Sequence, residues 1–553
     1  MAIPTLNIIT ANAGAEVLEG TGGAFDVASY RNAPGAVTVV IPGSGATNGS
    51  VTSAGWAAGD EYGAEINGIE GTRFDDTFYG NGRDNFFLGG AGADTFWGGD
   101  GIDTISYQTA ASAIAINIGY YEAGLGDALG DRVYGIENVI GSDFNDSIIG
   151  SDVANLLEGG RGNDTLQGST GADTIDGGEG IDTVSYDYSI SYGVTVDLRL
   201  TGPQGGAQET NHAKGDILIG IENIIGTKWA DNLTGNDADN VIDGGLHVNG
   251  GSAVDVMAGK GGNDIYYVDD NNAGAVDLVI EDANAGTDLV YTKVSYTLTA
   301  NVEKLTAIQG QYRAAVLTGN NLNNTILGNE FANTLNGGDG NDTLDGAGGA
   351  DRMVGGKGND VYYVNHKSDK VIESSGQGTD TIYSKVSYTI SNYVEKLIGE
   401  GSSAITLSGN GSSNTIIGNA GKNTIKGNGG NDVIDGGLGN DVLYGGTGKD
   451  AFVFSTALHK SKNVDTIKDF VVKDDTIRLE NAIFTKLTKT GKLNKSFFKI
   501  GDKAKDKNDY LVYNNKTGAL SYDADGSGKK YGLVKIAQLE KGLKMTHADF
   551  LVF

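Results

Sequence analysis

A chain of 553 residues with 89 glycines, four prolines and no cysteine has the length of three or four globular domains, but not their composition. Abundant glycine without a Gly-X-Y period or high proline excludes collagen, and the lack of cysteine excludes disulfides. Seventy-one acidic against 40 basic residues, a net charge of −31, disfavour nucleic acid and anionic membranes as partners and favour cations.

That charge is uneven. Residues 455–553 hold 19 basic and 12 acidic side chains, leaving 21 and 59 in the first 454, so a polyanion of −38 precedes a basic end of +7. The opening MAIPTLNIITANAGAEV has neither a basic n-region nor a sustained apolar h-region, and so does not read as a Sec-type signal. No segment approaches the roughly 18 to 20 uninterrupted apolar residues that span a bilayer, and no membrane insertion is expected.

In chain order, residues 1–70 form a Gly/Ala-rich, β-rich segment that includes FDVASY at 25–30. An acidic or amide residue then recurs every nine positions in five blocks. Block one, 71–107, carries Asp76, Asn85, Asp94 and Asp103; after a spacer at 108–140, block two, 141–186, carries Asp146, Asn155, Asp164, Asp173 and Asp182. A spacer at 187–225 leads to block three, 226–268, with Asp231 and Asn240, an insertion around LHVN, then Asp255 and Asp264. Beyond a spacer at 269–318, block four, 319–364, holds Asn324, Asn333, Asp342, Asp351 and Asp360; a spacer at 365–408 precedes block five, 409–454, with Asn414, Asn423, Asp432, Asp441 and Asp450. Two positions after each comes a large, mostly apolar residue, such as Phe78, Phe87, Phe96 and Ile105. Turn and strand therefore alternate.

The spacers repeat as well. IDTISY at 102–107 and IDTVSY at 181–186 are followed by GIENVIG at 135–141 and GIENIIG at 220–226; GTDLVYTKVSYTL at 286–298 with VEKL at 302–305 returns as GTDTIYSKVSYTI at 378–390 with VEKL at 394–397. Alternating Val, Tyr, Thr and Ile is strand patterning, so the spacers should extend the repeat or pack strands against it. Residues 455–553, a C-terminal secretion and capping domain, read as strands with a short helix at 536–541.

Glycine-rich turns such as GGAGAD (89–94) and GGLGND (436–441) suit positive φ and expose carbonyl oxygens. A carboxylate added to convergent carbonyls gives the six or more hard oxygen ligands that Ca²⁺ prefers. Zinc and copper are not expected, since His212, His247, His366, His459 and His547 lack ligand spacing.

This pattern resembles the repeats-in-toxin (RTX, hemolysin-type calcium-binding) family and its nonapeptide GGxGxDxUx, U being large and apolar. The resemblance implies an all-β fold: an elongated parallel β-roll, or β-solenoid, with Ca²⁺ in the turns, β-rich spacers and a small C-terminal β-rich domain. Eight copies keep GGxGxD, opening at Gly89, Gly98, Gly159, Gly177, Gly337, Gly355, Gly436 and Gly445 and ending at Asp94, Asp103, Asp164, Asp182, Asp342, Asp360, Asp441 and Asp450. Four relaxed copies end at Asp173, Asp264, Asp351 and Asp432. These residues form the candidate metal sites, for about ten Ca²⁺ ions. Asparagine at Asn85, Asn155, Asn240, Asn324, Asn333, Asn414 and Asn423 reads as caps that hold calcium weakly or not at all; the alternative is neutral variation at solvated turns. DADGSG at 523–528 resembles the start of an EF-hand loop, but Val534 stands where the bidentate Glu belongs, so a plain turn is expected.

No HExxH and no G-x-S-x-G occurs, and pairs such as Asp75/Asp76 read as solvated or calcium-facing carboxylates, not as a glycosidase dyad. A non-enzymatic role is expected. The likeness to RTX proteins of bacterial surface layers and extracellular matrices implies a secreted calcium-binding structural protein, folding on Ca²⁺ outside the cell and self-assembling into a surface layer, filament or matrix. The alternative is a soluble calcium-dependent adhesin or glycan-binding module, with a secreted hydrolase or epimerase third. Expected partners are copies of itself, a type I secretion transporter reading the C-terminal MTHADFLVF, and a cell-surface polysaccharide.

Overall fold

The computed structural model describes residues 6–22, 25–43, 54–120, 122–189, 192–205, 212–245, 254–270, 274–310, 314–528 and 530–553. Among them there is no α-helix, only four 3-10 turns between many short strands. Contacts divide the chain into two units, residues 1–290 and 291–553.

Both units are rolls of parallel coils. Strands pair in register at intervals of 18 residues, Thr77 with Thr95, Ser147 with Thr165, Leu156 with Thr174, Thr343 with Val361 and Thr424 with Val442. One coil is therefore two nonapeptides, and successive nonapeptides lie in different sheets. Each strand is about three residues long, and its middle residue is the apolar one of the period. Phe78, Phe87, Phe96, Ile105, Leu344, Ile434 and Phe452 are all fully buried. Their side chains meet from the two sheets, as in the Phe78 and Phe87 rings of Thr77–Tyr79 and Phe86–Leu88, 6.1 Å apart and parallel. A core only two side chains thick leaves little room for substitution.

The spacers extend the roll, one of the two outcomes their patterning allowed. Thr104–Ser106 pairs with Asn138–Ile140, Thr174–Glu179 with Ile217–Ile219, Val361–Val364 with Thr381–Ser384, and Thr381–Ser384 with Lys396–Gly399, all parallel. What distinguishes a spacer is the loop that leaves and re-enters the coil. In unit 1 the segment before block one is built the same way, Leu6–Thr10 pairing with Phe25–Ser29 and Phe25–Ser29 with Ile66–Glu70.

In unit 2 the roll continues beyond block five, Ala451–Phe454 pairing with Thr476–Leu479 and Val442–Thr447 with Asp465–Ile467. Antiparallel strands Leu511–Asn514, Ala519–Tyr522 and Val534–Gln538 then follow. The helix expected at 536–541 is not formed. Val534–Gln538 hydrogen-bonds on both edges, to Ala519–Tyr522 and to Asp465–Ile467, and buries Ile536 and Ala537. Sheet pairing there outweighs the weak local preference for a helix.

Because every coil stacks the same inward residue, Leu344→Ala should destabilise the calcium-loaded protein by roughly 2–5 kcal/mol. Denaturant unfolding at saturating calcium measures this; a change below 1 kcal/mol would contradict the two-residue core.

Candidate metal centre

The turns arrange the aspartates into ladders. A carboxylate oxygen of each accepts the backbone N–H of its counterpart one coil earlier: Asp76 N–H donates to Asp94 Oδ1 at 2.7 Å, Asp146 to Asp164 at 2.7 Å, Asp164 to Asp182 at 2.8 Å and Asp342 to Asp360 at 2.8 Å. Alternate nonapeptides build the second ladder, Asn155 N–H donating to Asp173 and Asn333 N–H to Asp351. These side chains are thus buried structural links, not solvated turn residues.

The second oxygen is the unusual one. Oδ2 of Asp94, Asp103, Asp164, Asp173, Asp182, Asp264, Asp342, Asp351, Asp360, Asp432, Asp441 and Asp450 is buried with no hydrogen-bond partner. An anionic oxygen left so costs far more than a satisfied one. The twelve are the aspartates that the nonapeptide pattern singled out. At Gly89, Gly98, Gly159, Gly177, Gly337, Gly355, Gly436 and Gly445 a Cβ would collide with the Oδ2 of the aspartate five residues on. The absent side chain leaves a cradle beside the carboxylate. At Gly159 and Gly337 the carbonyl oxygens of Gly177 and Gly355 face the same cradle. A carboxylate oxygen and carbonyls converging in a dry pocket fit a hard cation such as Ca²⁺.

Backbone conformation four residues before the aspartate decides which oxygens are left over. In all twelve cases that residue has positive φ, from 57° at Ala347 to 119° at Gly338. Eight are glycine; the relaxed copies force Ser169, Lys260, Ala347 and Asn428 into the same conformation. In the first coils the residue is Thr, Ser or Asn instead, and its N–H closes on the side chain. Thr72 donates to Asp76, Ser142 to Asp146 and Thr227 to Asp231; Asn81, Ser151, Asn236, Asn320, Asn329 and Asn410 donate to Asn85, Asn155, Asn240, Asn324, Asn333 and Asn414. The amide Nδ2 of Asn155 and Asn240 further donates to the carbonyls of Glu137 and Glu222. The caps expected from asparagine are side chains already engaged by the protein.

Burial raises these carboxyls above the ordinary range. Asp94 reaches about 9, with Asp131 adding repulsion; Asp103, Asp164, Asp173, Asp264, Asp342 and Asp351 reach about 7, Asp432 and Asp441 about 6. A bound cation reverses this preference by favouring the charged form.

The spacers and residues 455–553 supply further rungs, all but Asp369 outside the nine-residue register. Asp94 N–H donates to Asp131, Asp103 to Glu137, Asp173 to Asp216, Asp182 to Glu222, Asp351 to Asp369, Asp360 to Asp380, Asp441 to Asp465 and Asp450 to Asp475. Glu137 and Glu222 are the acids of the two GIEN motifs, so the repeated spacer sequence carried a signal. Asp131 and Asp216 are each held by a buried tyrosine hydroxyl, Tyr107 at 2.7 Å and Tyr186 at 3.0 Å.

Other sequence features resolve locally. Asp76 accepts from Val37 and Thr72, while Asp75 accepts from Ala93, so each is committed to a turn. Asp525 accepts from Lys530 and Tyr531 N–H in a turn over 524–527, as the missing EF-hand Glu led one to expect. His366 lies in a turn where its Nδ1 accepts from Ser368. The LHVN insertion and His247 lie outside the described residues.

Comparison with known families agrees with this arrangement. The family model for the RTX calcium-binding nonapeptide repeat (4 copies) matches residues 70–105, 149–184, 318–353, 327–362, 408–443 and 417–452. Blocks one, two, four and five are covered, and the interrupted block three is not. No curated protein matches the chain significantly.

Raised folded-state pKa values mean that the metal-free roll binds more protons than the unfolded chain between pH of about 4 and 7, so it is most stable in acid and loses stability as pH rises through about 7. Protons and calcium then compete: calcium affinity should be weaker at a pH of about 5.5 than at about 8, with protons released on binding, and calorimetry in buffers of different ionisation heat measures both. A pH-independent affinity would refute the buried-carboxylate account. Ala347→Gly, relieving a positive φ, should stabilise the calcium-loaded form by roughly 0.5–1 kcal/mol, read as a higher melting temperature at fixed calcium.

Proposed function

For a chain carrying RTX calcium-binding nonapeptide repeats through a roll of parallel coils, we propose the role of an extracellular structural protein. It folds on meeting calcium and assembles into a surface layer, filament or matrix. The observation that carries the reading is that all twelve nonapeptide aspartates keep a buried Oδ2 without a hydrogen-bond partner. Where free calcium is scarce, these groups and the −38 charge of the first 454 residues oppose folding and keep the chain extended. Millimolar calcium supplies the missing partners, and binding energy becomes folding energy.

Export of an unfolded chain through a type I transporter fits this cycle. Phe550–Val552, part of the proposed secretion signal, is a strand between Thr476–Leu479 and Gly491–Lys492, with Phe550 and Val552 buried. A transporter can read it only before the chain folds. For assembly, Leu6–Thr10 ends its sheet in unit 1, and among the described residues no strand pairs with its outer edge. An unpaired edge bearing a half-exposed Ile8 is a template for a second copy.

One feature supports the adhesin as a second reading. On the outer face of unit 1, Tyr79, Trp97 and Tyr134 stack on successive coils, with ring centroids 6.3 and 4.0 Å apart and planes within 6° and 15°. Such a row of aromatic faces suits the apolar face of a cell-surface polysaccharide.

Negative-stain microscopy and sedimentation in millimolar calcium, then in chelator, test the proposal. Polymers with calcium and unfolded monomers without it are expected. A folded monomer at high protein concentration in millimolar calcium would overturn the assembly role and leave the adhesin.

A further inference from the structure

Two turns depart from the pattern of one free oxygen per aspartate. In unit 2, Asp360, Glu373 and Asp380 bring carboxylate oxygens within 4.8 Å of one another, and all three side chains are buried. Glu373 is 8% exposed and Asp360 1%. Glu373 Oε2 and Asp360 Oδ2 are both buried without a hydrogen-bond partner. The other oxygen of Glu373 accepts the hydroxyl of Tyr362, which aims the free one. Asp380 Oδ1 is held at 2.9 Å by the N–H of Asp360. A Cβ at Gly355 would meet both Asp360 Oδ2 and the Tyr362 hydroxyl, so the glycine leaves the same cradle as elsewhere.

Unit 1 repeats the arrangement residue for residue. Asp264, Glu281 and Asp288 form the second such trio, also buried and within 4.8 Å, and Tyr266 donates to Glu281. The sequences correspond: GND, a strand with two tyrosines, an Ile-Glu pair and a GTD turn, at 262–288 and again at 358–380. Neither glutamate belongs to a nonapeptide.

We propose that Asp360, Glu373 and Asp380, and likewise Asp264, Glu281 and Asp288, are two divalent-cation sites of a different kind from the nonapeptide turns, and that they bind calcium first. The argument is one of charge. A nonapeptide cradle offers Asp Oδ2 and neutral carbonyls, whereas each trio offers three carboxylates, and oxygen-ligated calcium sites tighten as ligand charge rises. Three ionised carboxylates packed this closely repel one another, and a cation among them relieves that repulsion. A tyrosine hydroxyl bonded to one ligand sits close enough to report on the ion. This inference rests on the reading of the rolls as calcium-binding.

The test uses the full chain, stripped of metal and titrated with CaCl₂ by calorimetry and with TbCl₃ by tyrosine-excited luminescence. The wild-type chain should show two sites tighter than the rest, and Glu281→Gln/Glu373→Gln should weaken those two by about tenfold or more while leaving the weaker class unchanged. In Tyr266→Phe/Tyr362→Phe the calcium stoichiometry should hold and the luminescence of the first two equivalents of Tb³⁺ should fall. The proposal is overturned if the glutamine chain keeps both tight sites. Should that chain fail to fold, unchanged early luminescence in the phenylalanine chain overturns it instead. A wild-type chain that takes up no calcium would remove the calcium reading and this inference together, whereas calcium-driven folding without a tight pair removes this inference alone.

Discussion

The fold depends on a carboxylate divided between two tasks. One oxygen accepts the N–H of the coil before, fixing the rise from coil to coil; the other stays buried and unmatched. The first task is satisfied by the protein alone, as in the link from Asp342 to Asp360 at 2.8 Å. The second cannot be, because positive φ four residues earlier turns away the N–H that closes the first coils. Stability and ion demand therefore come from the same side chain. A core of one apolar residue per nonapeptide adds hydrophobic burial but cannot remove that charge.

Much of this was legible in the sequence because its period is strict. The nine-residue register identified the aspartates that have a free oxygen, including those of the relaxed copies, and it identified the inward apolar residues. It also put asparagine in the first coils, where the side chain proves to be consumed by local hydrogen bonds. The matched RTX nonapeptide repeats lie in blocks one, two, four and five, where the parallel coils and the paired aspartates recur.

The rest was hidden for definable reasons. The rungs at Asp131, Asp216, Asp465 and Asp475 follow loops of unequal length, so no fixed spacing points to them. Glu373 meets Asp360 because a coil folds it back, a contact that composition does not announce. The helix expected near Ile536 failed because a five-residue segment with alternating apolar residues takes the structure its neighbours offer, and here two sheet edges were open to it. Lys260 and Ala347 occupy a conformation natural to glycine, and only the backbone reveals that the coil imposes it.

Consecutive rungs are separated by 18 residues inside the uninterrupted blocks, but by 24 between Asp231 and Asp255, by 37 between Asp94 and Asp131 and by 43 between Asp173 and Asp216. The rise per rung is nevertheless set by the same hydrogen bond. Contour length and axial length are thereby uncoupled, as on a ruler whose graduations hold while its margin is free to widen. Loops can lengthen, shorten or change sequence without moving the rungs on either side. Such a scaffold can vary what it displays along its edge while its internal spacing stays constant.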